Sequence, residues 1–323
     1  MRPLVIAHRG ASGERPEHTR AAYDLAIDQG ADFIEPDLVM SKDGHLVVRH
    51  ENEIGGTTDV ADHAAFAGRR TTKTIDGVAT VGWFTEDFTL AELKSLRARE
   101  RLPELRPGNL ALTDEAILTF QEVIDIARTG SARTGRIIGV APELKHPTYF
   151  AGLGLEMTSP LIDALRGNGL AETDSAILIQ CFETATLRTL KRRIRSPLLQ
   201  LLALRGGPAD RPGDLYADMA KPAGLVEIAS YADFIGVETT LIIPVAETGL
   251  ASAPAPLIHD AHAAGLKVVA WTFRAEDAFL PADHRGDLSG WLQRFYDLGV
   301  DAVFSDFPAI AVTARDAQRP ATS

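Results

Sequence analysis

Three runs near the start of the chain decide the fold: LVIAHRG (Leu4 to Gly10), FIEPDL (Phe33 to Leu38) and LVVRHE (Leu46 to Glu51). Each is a short apolar run that ends in, or passes just beyond, polar residues: His8 and Arg9, then Glu35 and Asp37, then His50. A barrel of parallel strands presents its chemistry at such strand ends. Between the first two runs, GASGERPEHT breaks regular structure and TRAAYDLAIDQG carries apolar residues at helical spacing up to Gly30. The third run follows the second almost at once, across the turn SKDG. A parallel crossover needs about a dozen residues or more, so LVVRHE is predicted to fold back as an antiparallel hairpin strand and not to count among the barrel staves.

Working outward, residues 51–113 lose clear periodicity and are rich in polar turns. One helix is predicted there, Thr89 to Glu100, with Thr89 as cap and Glu92 completing a capping box. So long an excursion inside a compact domain carries function or forms a small subdomain. It is read as an insertion over the active face, between strand 2 and its following helix. Alternation returns with a helix predicted over Thr113 to Gly130, with an acidic first turn, and then with the strand RIIGVAPELK. The remaining strands are AILIQCF, PLLQLLAL, ADFIGVE, KVVAWTF and DAVFSDFP, most of them separated by helices. Eight parallel-type strands predict an α/β fold, a (β/α)8 TIM barrel. The barrel is expected to form a single domain over residues 1–315, with a frayed tail at 316–323.

At 323 residues the chain is long enough to bury a large core without staples. A formal charge of -11, from 44 acidic against 33 basic residues, argues against a surface that tracks nucleic-acid phosphates. A cation or a small-molecule substrate is compatible with it. The single cysteine, Cys181, excludes an internal disulfide and reads as a small buried hydrophobe. No run approaches membrane-spanning length, so stable membrane insertion is not expected. The first twenty residues lack a signal-peptide layout, and the chain as given is expected in the cytoplasm, or in the periplasm or outside the cell if a leader was removed.

Glu35 and Asp37 stand at i and i+2 on a strand, so both side chains leave the same face. Two carboxylates on one face repel unless a cation lies between them, and oxygen donors of this kind suit Ca²⁺ or Mg²⁺. Glu143, at the end of the next stave, supplies a third acid, and the lack of a cysteine cluster disfavours zinc. His8 and His50 near the same mouth suit a general acid and a general base. Arg9 and Lys145 offer a fork and a point charge to an anionic substrate. The residues alone lead to metal-assisted displacement at phosphorus and leave the ester open. By pattern, Trp271 reads equally as core or pocket, Gln180 as structural, and His45, His63, His146, His259, His262 and His284 as surface or satisfied residues.

HRG, PEHT, EPD, SKDG and the HE of VVRHE, in order and spacing, resemble the signature of the glycerophosphodiester phosphodiesterase family. GWFTEDFTLAELKSLRARERLPELRP is similar to the longer, bacterial periplasmic-type branch, and ELKHP, IQCFE, LIIP, AWTFR and VFSDFP resemble later family blocks. The resemblance implies hydrolysis of glycerophosphodiesters to sn-glycerol 3-phosphate and an alcohol with one divalent metal ion. It assigns Glu35, Asp37 and Glu143 to the metal, His8 and His50 to acid/base work, and Arg9 and Lys145 to the phosphate. Trp271 falls to the glycerol side of the pocket, Gln180 to the pocket and Glu17 to support near the metal. It further implies attack by a neighbouring substrate hydroxyl to give a cyclic phosphate, with His50 protonating the leaving group. Glu51 stands where the family has aspartate, His18 where it has asparagine and Cys181 where it has serine. A phospholipase D-like enzyme acting on lysophospholipids and a non-catalytic glycerophosphodiester-binding barrel are the alternatives. The lack of disulfides weighs against the first, and an intact histidine pair against the second.

Overall fold

The computed structural model describes residues 2–317. Its strands are β1 (Leu4–His8), β2 (Phe33–Glu35), β3 (Asp37–Met40), β4 (Leu46–Val48), β5 (Thr71–Ile75), β6 (Val78–Gly82), β7 (Gly139–Val140), β8 (Glu143–Leu144), β9 (Ile179–Cys181), β10 (Leu198–Leu202), β11 (Phe234–Glu238), β12 (Lys267–Phe273) and β13 (Ala302–Ser305). Two staves are interrupted by proline, which has no N–H for the ladder. Pro36 separates β2 from β3, and Pro142 separates β7 from β8. The ladder runs on past both, because Glu143 N donates to Pro36 O (2.9 Å) and Gln180 N to Pro142 O (2.9 Å). With each broken pair taken as one stave, the parallel pairings run β1, β2/β3, β7/β8, β9, β10, β11, β12, β13 and back to β1. This closed ring is the eight-stave barrel. β4 pairs antiparallel with β3 alone, as a hairpin.

Side-chain alternation sorts each stave into two faces. Ile6, Ala141, Leu178, Leu199, Leu201, Val269, Ala302 and Phe304 pack together as one buried cluster, the barrel interior. The other face, with Val5, Ile34, Ile179 and Val303, packs outward against the helices. Two residues further along the interior row come His8 after Ile6, Glu143 after Ala141, Gln180 after Leu178, Trp271 after Val269 and Asp306 after Phe304. The period of the strand therefore sets these polar groups as the layer above an apolar floor.

Residues 51–113 carry the β5–β6 hairpin, the short helix Leu90–Ser95 and several 3₁₀ turns. Phe66, Phe88, Leu93 and Leu96 join the main core, so this segment shares the barrel's apolar interior. Two helices are shorter than the sequence suggests. Thr89 does cap its helix with Glu92, but the helix ends at Ser95, where Arg97 N turns to Asp59 Oδ1 (2.7 Å). The helix expected from Thr113 begins at Phe120, with Thr119 and Glu122 as its capping box. The residues before it spend their carbonyls on neighbours: Glu115 O accepts from Ala98 N and Leu118 O from Val48 N. Thr119→Ala is expected to cost about 1 kcal/mol in urea unfolding, and an unchanged midpoint would contradict this cap.

The tail is ordered further than expected. The helix Pro308–Asp316 buries Ala314 and Arg315, and Asp316 pairs with Arg2. The remainder of that expectation, residues 318–323, lies outside the described residues.

Candidate active site

The ends of the staves and of β4 open onto a cavity of about 280 Å³ walled by His8, Arg9, Glu35, His50, Glu143, Lys145, Gln180 and Trp271. Glu35, Asp37 and Glu143 each offer a carboxylate oxygen, and these oxygens lie within 4.8 Å of one another. The register explains the meeting: Asp37 is paired with Glu143 across β3 and β8, and His8 with Glu35 across β1 and β2.

Around this triad the charges are tightly committed. Arg9 takes a left-handed backbone conformation (φ 61°) that turns its own N–H onto Glu35 Oε2 at 2.7 Å. Its guanidinium donates to Glu17 Oε2 (2.8 Å), and its Nε lies 3.2 Å from Asp37 Oδ2. That same Asp37 oxygen meets His18 Nε2 at 2.9 Å, while His18 Nδ1 meets Tyr23 Oη at 2.9 Å. His18 is also left-handed (φ 59°), a conformation that His shares with Asn, and its ring supplies an N–H to the acid. Lys145 Nζ lies 2.7 Å from Glu143 Oε1 and 3.6 Å from Asp37 Oδ1.

Asp37 Oδ1 is buried without a hydrogen-bond partner. Burial and the neighbouring Asp37 push the Glu35 carboxyl well up, and burial, opposed by Lys145, leaves Glu143 raised to about 7. Against burial, Lys145 and His50 hold Asp37 well below the usual carboxylate range. An orphaned buried oxygen within a set of hard, mutually repelling carboxylates fits a divalent cation such as Ca²⁺ or Mg²⁺.

The two histidines are built alike. His8 Nδ1 lies 2.6 Å from Asp306 Oδ1, and His50 Nδ1 lies 2.5 Å from Glu51 Oε1. A carboxylate on Nδ1 fixes the ring and its tautomer and leaves Nε2 for chemistry. Burial first, then Arg9, lowers His8 to about 4 and His50 to about 3, so both rings are neutral at neutral pH. Glu51 is gripped in turn by Arg101, with contacts of 2.9 and 2.6 Å. Cys181 is buried: its thiol donates to Leu144 O (3.4 Å) and its sulfur accepts from Glu183 N (3.3 Å), bonds that a serine hydroxyl also makes.

Glu17 bonds Arg9 and Arg101 rather than joining the carboxylate triad. Gln180 spends its amide on Ala141 O (2.9 Å) and, more weakly, Glu35 Oε1 (3.4 Å). Trp271 stands edge-on to Phe182, its Nε1 buried and unpartnered. Asp306, Arg274, Arg101 and Arg106 bear on the site and were not singled out from sequence. Asp306 and Arg274 had a signal there, as charged residues just past the ends of β13 and β12.

Burial opposes their charge, yet Asp306 is held below the usual carboxylate range by His8, Glu17 by Arg9 and Glu51 by His50. A carboxylate whose folded pKa is depressed contributes stability that is present above its unfolded value and lost as pH falls from there through the folded value. Glu35, pushed well up, and Glu143, raised to about 7, act in the opposite sense, Glu143 gaining as it protonates below about pH 7. The Tm is therefore expected to fall steeply only below about pH 4. Melts followed by circular dichroism test this, and a Tm that holds steady through that range would contradict it.

The glycerophosphoryl diester phosphodiesterase family model matches residues 8–310. The chain is 35% identical over 325 residues to glycerophosphodiester phosphodiesterase GDPD6 of Arabidopsis thaliana, covering 95% of this chain and 84% of that one. It is 28% identical over 338 residues to the glycerophosphodiester phosphodiesterase of Haemophilus influenzae, covering 96% and 88%. Among solved structures, an Oleispira antarctica phosphodiesterase in complex with the product sn-glycerol-3-phosphate aligns with a TM-score of 0.66 at 23% identity, covering 98% of this chain and 97% of that one. That likeness carries the barrel alone. No described helix is long and apolar enough to cross a membrane. With the family model matching residues 8–310, nearly the whole chain, the chain belongs to the glycerophosphoryl diester phosphodiesterase family.

Proposed function

We propose that this protein hydrolyses glycerophosphodiesters to sn-glycerol 3-phosphate and an alcohol, with His8 and His50 as the acid/base pair. The observation that carries the reading is the juxtaposition, at one cavity, of a cluster of three close carboxylates and two histidines, each histidine with Nδ1 held by a further carboxylate. The chain acts as one catalytic unit over residues 1–315, with 51–113 built onto its active face.

Glu35, Asp37 and Glu143 are the residues that would hold one divalent cation, Ca²⁺ or Mg²⁺ by its oxygen donors. When bound, such an ion neutralises charge developing on a phosphoryl oxygen. Arg9 and Lys145 add positive charge on the same wall and grip the phosphodiester. Trp271, with its unpartnered Nε1, borders the glycerol side, and Gln180 steadies Glu35 beneath the pocket.

The surroundings of the two histidines suggest their division of labour. His8 lies where Trp271, Arg274 and Phe304 close the cavity, a place for the invariant glycerol. Past His50 a groove of about 450 Å³ continues along Lys145, His146 and Glu183, with room for a variable alcohol. His8, neutral at neutral pH, takes the proton of the neighbouring glycerol hydroxyl as its oxygen attacks phosphorus. His50 enters this step as the imidazolium, favoured by Glu51 on Nδ1 and by the negative charge of the bound phosphodiester, and delivers its Nε2 proton to the departing alkoxide. The resulting cyclic phosphate is opened by water with the roles reversed, the ring oxygen recovering its proton.

A substrate-by-metal panel tests this. Purified protein given glycerophosphocholine with Ca²⁺ or Mg²⁺ is expected to release glycerol 3-phosphate, scored by a coupled dehydrogenase. No release from any glycerophosphodiester with any divalent cation would sink the reading.

A further inference from the structure

The segment between β6 and the helix Phe120–Thr134 contributes two arginines to the site. Arg106 is buried, and its fork is fully used: Nη2 to Asp306 Oδ2 (2.6 Å), Nε to Glu276 Oε1 (2.6 Å) and Nη1 to Ser12 O (2.8 Å). Asp306 is the carboxylate on His8 Nδ1. Arg101 spans Glu51 at 2.9 and 2.6 Å and Glu17 at 2.8 and 2.7 Å. Glu51 is the carboxylate on His50 Nδ1. The two arginines thus sit behind the two histidines in matching relays of arginine, carboxylate and imidazole.

The loop that carries them is braced from within. Glu100, itself buried, accepts from Leu102 N (2.7 Å) and from Asn109 Nδ2 (2.6 Å), which ties together its two ends. Neither arginine lines the cavity. Each reaches the chemistry only through a carboxylate that a charge-assisted bond holds in one place.

We propose that Arg101 and Arg106 are positioning residues, by which one loop of the insertion sets both catalytic histidines at once. The proposal rests on the acid/base reading above. It also accounts for Glu51: the longer side chain in place of aspartate is stretched between His50 and Arg101, so its extra reach is fixed from behind. Without Arg106, Asp306 Oδ2 loses the shorter of its two guanidinium bonds and keeps only Arg274 Nε (3.0 Å), while Oδ1 keeps His8. Without Arg101, Glu51 keeps His50 alone and Glu17 keeps Arg9.

The test compares wild type, Arg101→Ala, Arg106→Ala and Arg106→Lys. For Arg106→Ala, kcat on glycerophosphocholine is expected to fall about 10- to 100-fold, the usual cost of losing an outer orienting partner. KM and the cation titration midpoint should stay near wild type, and added guanidinium should restore part of the rate. Lysine keeps the charge but cannot serve Asp306, Glu276 and Ser12 together, so Arg106→Lys is expected to stay impaired. Nitrogen NMR of labelled histidine supplies a readout independent of turnover. In Arg106→Ala the His8 ring nitrogens should shift while those of His50 hold, and in Arg101→Ala the reverse should be seen. Should the alanine variants fail to fold, Arg106→Lys and Arg101→Lys carry the same spectra. Unchanged histidine spectra in the variants, or a kcat loss matched by loss of cation binding, would overturn the proposal. A wild type without turnover would overturn the phosphodiesterase reading, while the spectra would still decide the positioning one.

Discussion

His8→Ala and His50→Ala are each expected to lower kcat by about 10²- to 10⁴-fold, the range that general acid/base catalysis supplies. Both rings stand on short bonds to buried or half-buried carboxylates, and both border the cavity. The two losses should differ in kind. If His50 serves the leaving group, a substrate whose alcohol leaves as a stable anion, such as a nitrophenyl ester, needs no proton from it. His50→Ala should then recover much of its rate on that ester, and His8→Ala should not. Equal loss on both esters would contradict the division of labour. Both variants should still melt cooperatively, so that the loss of rate is not a loss of fold.

The second large effect concerns the carboxylate triad. Chelation is expected to abolish turnover, and Ca²⁺ or Mg²⁺ to restore it. Glu35→Gln should weaken kcat/KM at fixed cation by about 10²-fold or more, since it removes one of three charges offered to the ion. The same substitution relieves repulsion with Asp37 and Glu143, which burial makes costly. The metal-free Tm should therefore hold or rise while the cation requirement shifts to higher concentration. A Tm that fell, or a cation requirement left unchanged, would show that Glu35 serves the fold and not the ion.

What could be read from the sequence was whatever the strand period carries. His8, Glu35, Glu143, Gln180 and Trp271 all lie on staves, and a step of two from an apolar interior residue places them at the mouth, with Asp37 one further step of two beyond Glu35. The hairpin was legible for a related reason, since SKDG leaves no room for a crossover. Partners supplied by irregular backbone were not legible. Arg101 and Arg106 lie in a loop with no periodicity, and only the fold brings Arg106 against Asp306, at the far end of the chain. One helix start, expected at Thr113 and found at Phe120, differs because an acidic, apolar stretch satisfies helical spacing while its carbonyls are claimed by β4 and the insertion. Glu17, which the resemblance assigns to support near the metal, bonds the guanidinium groups of Arg9 and Arg101, and Arg9 in turn meets Glu35 and Asp37.

The departures from the family pattern are met locally. His18 gives Asp37 a ring N–H from a left-handed position, Cys181 keeps two weak bonds that a serine also makes, and Glu51 is matched by Arg101. None of them removes a group that the chemistry needs.

Phosphorus NMR of glycerophosphocholine turning over with Ca²⁺ or Mg²⁺ tests the central claim most directly. The expected record is loss of the diester signal, a transient cyclic phosphate, and growth of sn-glycerol 3-phosphate, with no turnover by His8→Ala. A diester signal that persists with every divalent cation, or wild-type turnover by His8→Ala, would contradict it.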